Sequence, residues 1–321
     1  MPASTTLSFR NHWDHFLARW GYRRNDHRVT PGLYAVGTPT PDSPVFVTAN
    51  YTLSFDALRT ALHGIDGTIM VLDTYGVNVW CAAGKGTFGT DELVNRINLS
   101  NLKHIVNHRR LILPQLGAPS ISPVEVKKQT GFSVEYGPVR ADDLPTYLET
   151  RKASPAMRKV RFNLWDRMVL IPMEVVHTFI PMILISVILY FLSGLVPALA
   201  LVTAILAGAA LFPILLPVLP TRDFSSKGFL LGGLAIVPFV IAMMVANGGT
   251  SLWLRSVGAL AMALAIPPVT AYLALNFTGA TTFTSKSGVK REMATYIPVM
   301  AWMCGAGVVL MLVNIILRWV L

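Results

Sequence analysis

Apolar positions recur in two rhythms along this chain, and the change falls near residue 168. Before it, short apolar runs alternate with stretches whose apolar positions repeat every three or four residues. GLYAVG (32–37), PVFVTANY (44–51), GTIMVLD (67–73), the RRLILP that opens 109–120, and FSVEYGP (132–138) are the short runs, and they predict buried strands. Between them SFDALRTALHG (54–64), TDELVNRINLSNL (90–102), SPVEVKKQTG (122–131) and residues 142–150 predict helices. Ser54, Thr90 and Ser122 stand as their caps, Pro123 in a first turn, and Gly64 and Gly131 as stops. Strands alternating with helices imply a mostly parallel, three-layer α/β domain of about 140 residues, with ligands at the carboxyl ends of the strands. Residues 1–30 are polar and basic, with Trp13, Phe16, Leu17 and Trp20 at helical spacing. They predict an amphipathic helix packed on the domain or lying near a membrane surface.

After residue 168 the apolar runs lengthen to five, at 170–193, 195–218, 228–247, 251–275 and 295–317. Each is long enough to cross a hydrocarbon core of roughly 30 Å. Pro213 and Pro217 in the second, and Pro267 and Pro268 in the fourth, predict kinks. The chain therefore reads as an N-terminal amphipathic segment (1–30), an α/β domain (31–150), a basic linker (151–169) and a transmembrane domain (170–321).

Charge sharpens this picture. Residues 1–167 carry 20 Lys and Arg against 14 Asp and Glu, and residues 168–321 carry 7 against 3. A net charge of +10 raises nucleic acid as a partner, but no basic run is interleaved with aromatics. Instead Arg151, Lys152, Arg158, Lys159, Arg161 and Arg167 cluster before the first span, as in a cytoplasmic anchor touching anionic headgroups. The loops 221–228 (Arg222, Lys227) and 279–292 (Lys286, Lys290, Arg291) are basic too. The positive-inside rule then puts the α/β domain in the cytoplasm and the C-terminus outside. No apolar stretch at the N-terminus predicts a cleaved signal peptide. Two distant cysteines, Cys81 and Cys304, fit a reducing compartment rather than a disulfide framework. Glu174 and His177, at i and i+3 in the first span, are functional candidates by their place alone, with interfacial snorkelling as the plainer reading. Cys304 reads as packing or as a metal relay.

Chemistry concentrates in GVNVWCAAGKGTFG, residues 76–89. Asn78 is a good N-cap, so a short helix is expected there with Cys81 in its first turn, where the thiol pKa falls. Gly84, Gly86 and Gly89 spell G-x-G-x-x-G, but several residues separate them from the strand, and Arg109 and Arg110 stand where a ribose-binding acid belongs. The spacing of a Walker loop fails at Val79. A nucleophilic Cys81 would need His104 or His108 beside it, and no oxyanion-hole pattern accompanies them. A lone thiolate cannot hold zinc. It can be the axial ligand of a metal whose other positions a macrocycle fills, and Val79, Trp80, Ala82, Ala83 and Gly84 suit the close approach of a flat cofactor. Cys81 as a buried core cysteine is the remaining reading. The residues alone leave these alternatives open.

NVWCAAGK (78–85), with VTANY (47–51), RRLILPQLGAPSIS (109–122) and YGPVRADDLP (136–145), resembles the membrane-anchored corrinoid proteins of microbial mercury methylation. The resemblance is close over 30–150, and the five-span tail matches in architecture. The same region is similar to the corrinoid domain of the acetyl-CoA pathway's corrinoid iron–sulfur protein, which has neither the tail nor a cysteine at this helix. A D-x-H-x-x-G motif of other corrinoid methyltransferases is not matched. The resemblance implies a Rossmann-like corrinoid-binding domain with a cap helix, followed by an all-α transmembrane domain of five helices. It implies a cobalamin or related corrinoid held base-off. Cys81 would be its lower cobalt ligand and the catalytic residue, and Thr48, Asn78, Val79, Trp80, Ala82, Ala83 and Gly84 would contact the cofactor, with Lys85 capping the helix. The implied reaction is methyl transfer to Hg(II), giving methylmercury. Hg(II) is an electrophile, so the methyl must leave with its bonding electrons or as a radical, and a strong donor opposite it favours that polarity. The implied partners are a ferredoxin-like protein with 4Fe-4S clusters, a methyltetrahydrofolate-linked methyltransferase and the lipid bilayer, with no nucleic acid. A corrinoid methyl carrier with another acceptor, and a corrinoid-binding membrane transporter or sensor, are the alternatives.

Overall fold

The computed structural model describes residues 1–245 and 250–320. The chain divides into two compact units, Met1–Val160 and Arg161–Leu321. The first unit runs α1 (Phe9–Arg19), β1 (Gly32–Val36), β2 (Val45–Ala49), α2 (Thr52–Ala61), β3 (Gly67–Leu72), α3 (Val79–Lys85), α4 (Thr90–Leu99), α5 (Leu102–Ile105), β4 (Arg110–Leu113), α6 (Pro123–Thr130), β5 (Ser133–Tyr136) and α7 (Leu144–Thr150).

Its strands form one sheet in the order β1-β3-β2-β4-β5. Neighbours from β3 to β5 are parallel, and β1 runs antiparallel to β3. The expected mostly parallel sheet is therefore mixed. β1 precedes the first strand–helix–strand crossover, and an edge strand without a crossover helix is free to run either way. The two directions of strand order diverge at β2 and β4. There the ladder holds only Val45↔Leu111 and Phe46↔Ile112, against five residue pairs between β2 and β3.

Alternate residues of each strand feed two cores. Val45, Val47, Met70, Leu72, Leu111 and Leu113 face α3, α4 and α6, whereas Phe46, Ile69, Val71 and Ile112 face α2 and α7. Burial on both faces is why the strands read as unbroken apolar runs. Two of the expected caps form: Asn78 Oδ1 accepts from the Cys81 amide at 2.9 Å, and Ser122 Oγ from the Glu125 amide at 3.4 Å. Gly131 ends α6 with φ +80°. Ser54 and Thr90 do not cap. The chain turns into α2 three residues earlier, with Tyr51 in the cap position, and α4 is entered from Gly89. Thr90 Oγ1 instead accepts from the Ser122 amide at 2.9 Å and ties α4 to α6.

Polar side chains hold α1 on the unit. His15 Nε2 lies 2.7 Å from Asp56 Oδ2, and Arg59 Nε donates to Asp56 Oδ1 at 2.6 Å. Arg59 also donates to the Ser4 carbonyl and to the Thr6 carbonyl at 2.9 Å. His27, buried, meets Asp14 Oδ1 at 2.8 Å and the Tyr22 carbonyl at 2.6 Å.

Among the described residues of the second unit, five helices are long and apolar enough to cross a membrane: Leu164–Ser193, Leu195–Leu215, Phe224–Val245, Leu252–Ala280 and Lys286–Arg318. The helices overrun several of the apolar runs because polar flanks continue their first turns. The expected end of the third span at 247 lies outside the described residues. The second helix widens into a π-turn at Ala207–Leu211 before Pro213, and the fourth breaks at Ile266 before Pro267 and Pro268, so kinks occur where prolines predict them. Pro217 falls beyond the second helix. Buried charges inside this unit serve helix ends: Glu292 accepts from the Ser225 amide at 2.5 Å, and Lys227 Nζ donates to the Leu216 carbonyl at 3.1 Å.

Candidate functional site

An apolar cavity of about 350 Å³ opens at the carboxyl edge of the sheet, between the diverging ends of β2 and β4. This is the topological switch point, where open α/β sheets place their ligands. Thr48 and Ile112 line its floor, Leu53 and Ala57 of α2 one wall, and Ala141 and Leu144 another. Asn78, Val79 and Trp80, at the start of α3, line its rim. Thr48 is 3% exposed, and among the described residues its hydroxyl has no hydrogen-bond partner. Facing the cavity, this hydroxyl is free to meet a polar group on a ligand.

α3 is seven residues long and two-sided. Val79, Ala82 and Ala83 are buried beneath it, and Val79 and Ala82 join the core shared with α4 and α6. Trp80, Cys81 and Gly84 are exposed. Cys81 and Gly84, at i and i+3, share a side of the helix. A Cβ on Gly84 would meet no atom within 4 Å, so this face is flat and open beside the thiol. The core-cysteine reading of Cys81 is thereby overturned: the thiol is exposed. The structure thus brings Thr48, Asn78, Val79 and Trp80 to the cavity and Cys81 and Gly84 to the open face, while Ala82 and Ala83 turn inward.

The glycines of G-x-G-x-x-G do other work. Gly86 closes α3 with φ +83°, and Gly89 stands where a Cβ would lie 2.6 Å from the Gly86 carbonyl oxygen. Gly84 lies inside α3, Gly86 closes it and Gly89 precedes α4, whereas the glycines of a phosphate loop lead from a strand straight into a helix. His108 binds the Ser43 carbonyl through Nε2 at 2.8 Å, at the amino end of β4. Cys81 follows the carboxyl end of β3, so the parallel strands put the two on opposite edges. No group of three or more His, Cys, Asp or Glu able to hold a metal occurs among the described residues.

Sequence reasoning missed Asn50. This fully buried side chain accepts, at Oδ1, from the Thr74 amide (3.1 Å), the Thr74 hydroxyl (2.9 Å) and the Gly76 amide (2.9 Å), and donates from Nδ2 to Asp73 Oδ1 (3.0 Å). Glu92 Oε1 accepts from the Asp73 amide at 2.9 Å and pairs with Arg96 at 2.7 Å. The loop that leads into α3 is thus fastened to the end of β2, the strand that carries Thr48. Asn50 lies inside VTANY, but its partners stand over twenty residues away, and no periodicity reports them.

Tyr51, half-buried, follows Asn50. Burial pushes its phenol above the ordinary value, Arg19 and Arg24 pull it down, and Asp14 and Cys81 push it up.

Comparison with known proteins bears on this unit. The family described as CO dehydrogenase/acetyl-CoA synthase delta subunit matches residues 22–148. The acetyl-CoA decarbonylase/synthase complex subunit gamma of Archaeoglobus fulgidus is 34% identical over 128 residues, covering 39% of this chain and 27% of the relative. Its counterpart in Methanopyrus kandleri is 33% identical over 128 residues, with the same coverage. That of Methanosarcina acetivorans is 32% identical over 125 residues, covering 38% of this chain and 26% of the relative. The chain spans about a quarter of the length of the curated relatives it matches, and the match falls in the unit that carries the cavity and Cys81.

Proposed function

We propose that Met1–Val160 is a corrinoid-dependent methyl-transfer domain in which the Cys81 thiolate is the lower cobalt ligand, and that Hg(II) accepts the methyl group. One observation carries this reading: an exposed thiol on the open face of a short helix whose first residues line an apolar cavity at the switch point. The likeness to acetyl-CoA decarbonylase/synthase subunits supports the corrinoid, because the acetyl-CoA pathway holds the corrinoid domain that this sequence resembles.

The residues present fit the group. The cavity is too small for a whole macrocycle and apolar enough for the heterocyclic tail that leaves cobalt in the base-off state. Thr48 would offer its unpaired hydroxyl to a polar edge of the cofactor. Gly84 leaves the helix face clear, and the exposed Trp80 beside it would pack against the edge of the group. A bound corrinoid supplies the transferable methyl group and the redox chemistry of its metal. Cys81 would hold the metal and would donate electron density to it, which would favour methyl transfer to an electrophile. Asn78 holds the Cys81 amide, and Asn50 holds the loop before it, so the thiol is positioned from both sides.

In this reading the five apolar helices anchor the domain to a membrane, with the α/β unit in the cytoplasm. A low-potential iron–sulfur partner restores the cofactor, and a folate-linked methyltransferase reloads it. The same likeness favours, above mercury as acceptor, a second reading: a methyl carrier of one-carbon metabolism with another acceptor. The deciding experiment is the visible spectrum of the anaerobic, cobalamin-loaded full chain beside Cys81→His and Cys81→Ala, followed by methyl transfer to Hg(II). A thiolate-type spectrum and methylmercury formation, both lost in Cys81→Ala, are expected. Identical spectra in all three proteins refute the ligand assignment. Thiolate ligation without methylmercury formation leaves the carrier reading.

A further inference from the structure

α1 is amphipathic the wrong way round for a helix that packs by its apolar side. Its domain-facing residues are Asn11, Asp14, His15 and Ala18, and two of these bond to the unit through His27 and Asp56. Its outward residues are Phe9, Trp13, Phe16 and Trp20, at spacings of four, three and four. Phe9 is 83% exposed and Trp13 52%. Trp13 stacks on Phe16 at 5.4 Å, and Phe16 lies 5.8 Å from Trp20. Together they make one continuous aromatic ridge.

We propose that this ridge is an interfacial membrane contact that seats the domain on an anionic lipid surface. The proposal rests on the reading that the five apolar helices cross a bilayer. Charge complementarity favours lipid as the occupant. Arg10, Arg19, Arg23 and Arg24 flank the ridge and are exposed, while Asp14, the one acid of α1, is turned toward His27. Tryptophan and phenylalanine on one face with arginine beside them is the composition of helices that lie in the headgroup layer. Chain continuity favours it as well. Val160 ends the unit and Leu164 opens the first apolar helix, so about four residues separate them, a reach of at most about 15 Å. A domain tethered so closely meets the bilayer surface at high effective concentration.

The test uses the full chain in lipid nanodiscs, with the photoreactive residue p-benzoylphenylalanine replacing Phe16, Val124 or Phe191 in turn. Val124 is an exposed position on α6, and Phe191 an exposed position on the first apolar helix. Illumination followed by mass spectrometry reads lipid adducts. With phosphatidylglycerol present, the Phe16 probe is expected to give lipid adducts at least about five-fold above Val124, the gain for a single arginine at an anionic surface. The excess should shrink in phosphatidylcholine alone and in 1 M salt, where the Debye length falls to about 3 Å. A Phe16 yield equal to that of Val124, with Phe191 heavily lipidated, overturns the ridge proposal and leaves the membrane-spanning reading standing. A Phe191 probe without lipid adducts overturns both. A Phe16 probe that joins a protein instead of lipid in native membrane vesicles assigns the ridge to a protein partner and overturns the lipid assignment.

Discussion

Replacing Asn50 with alanine should open the loop that carries the cap helix while leaving the sheet folded. The substitution removes the acceptor of the Thr74 and Gly76 amides, both in buried residues, whereas the Thr74 hydroxyl keeps the Val77 carbonyl at 2.6 Å. A buried donor left without a partner costs about 1–3 kcal/mol, so two cost about 2–6 kcal/mol. Domains of this kind hold about 5–15 kcal/mol in all. The loss therefore falls first on the segment the side chain fastens. Hydrogen exchange of the apo full chain reads it directly. At about 1.4 kcal/mol per factor of ten, the amides of residues 74–77 should exchange at least about thirty-fold faster, with β2 and β3 protected as before. The alkylation rate of Cys81 should change with them. Asn50→Asp keeps the acceptor oxygens but sets a carboxylate against Asp73, so it should lie between wild type and alanine and worsen as pH rises. Exchange in 74–77 within about three-fold of wild type would refute the reasoning. The bond from the Asp73 amide to Glu92 would then suffice to hold the loop.

Further outcomes follow from the same site. Gly84→Leu meets open space and gains up to about 1 kcal/mol of helix propensity, so the apo melting temperature should hold or rise while cobalamin affinity falls at least about ten-fold in a spectral titration; unchanged affinity would show that the cofactor does not lie on this face. Thr48→Val deletes a cavity-facing hydroxyl that no protein group binds, so apo stability should hold, with weaker cobalamin binding as its only defect. Burial alone would raise the Asp56 carboxyl, but its bonds to His15 and Arg59 outweigh burial and hold it below the ordinary value. Its stabilising share is then complete above the unfolded value of about 3.9 and lost as pH falls through the lower native value. Limited proteolysis in acid should release the N-terminal segment over that window in wild type, while Asp56→Asn should be cut at every pH.

β2, β3 and β4 were legible because they are short apolar runs buried between two helical layers, and α3 because Asn78 is a good cap where it stands. Direction was not legible: GLYAVG reads the same whichever way it pairs, and only the absence of a crossover frees β1 to run against its neighbour. Ser54 and Thr90 have the chemistry of caps, but Tyr51 and Gly89 already hold the extended backbone from which the helices start. The spacing of Trp13, Phe16 and Trp20 reveals a stripe and not which side the domain takes. That choice belongs to Asp14, His15 and His27, whose partners are set by the fold. Cys81 was legible as a motif, and the cavity beside it was not, since Leu53, Ile112 and Leu144 come together only through topology.

The two-pair seam between β2 and β4 has a consequence for the life of the chain. A molecule in the opening would touch Thr48 on one half-sheet and Leu113 on the other, and so would bridge the shortest ladder of the sheet. Every increment of ligand concentration above its dissociation constant then adds cohesion to the whole unit. A cell short of the ligand would hold a chain that splits along this seam and is cleared by proteases, and its abundance would track ligand supply without any change in its synthesis.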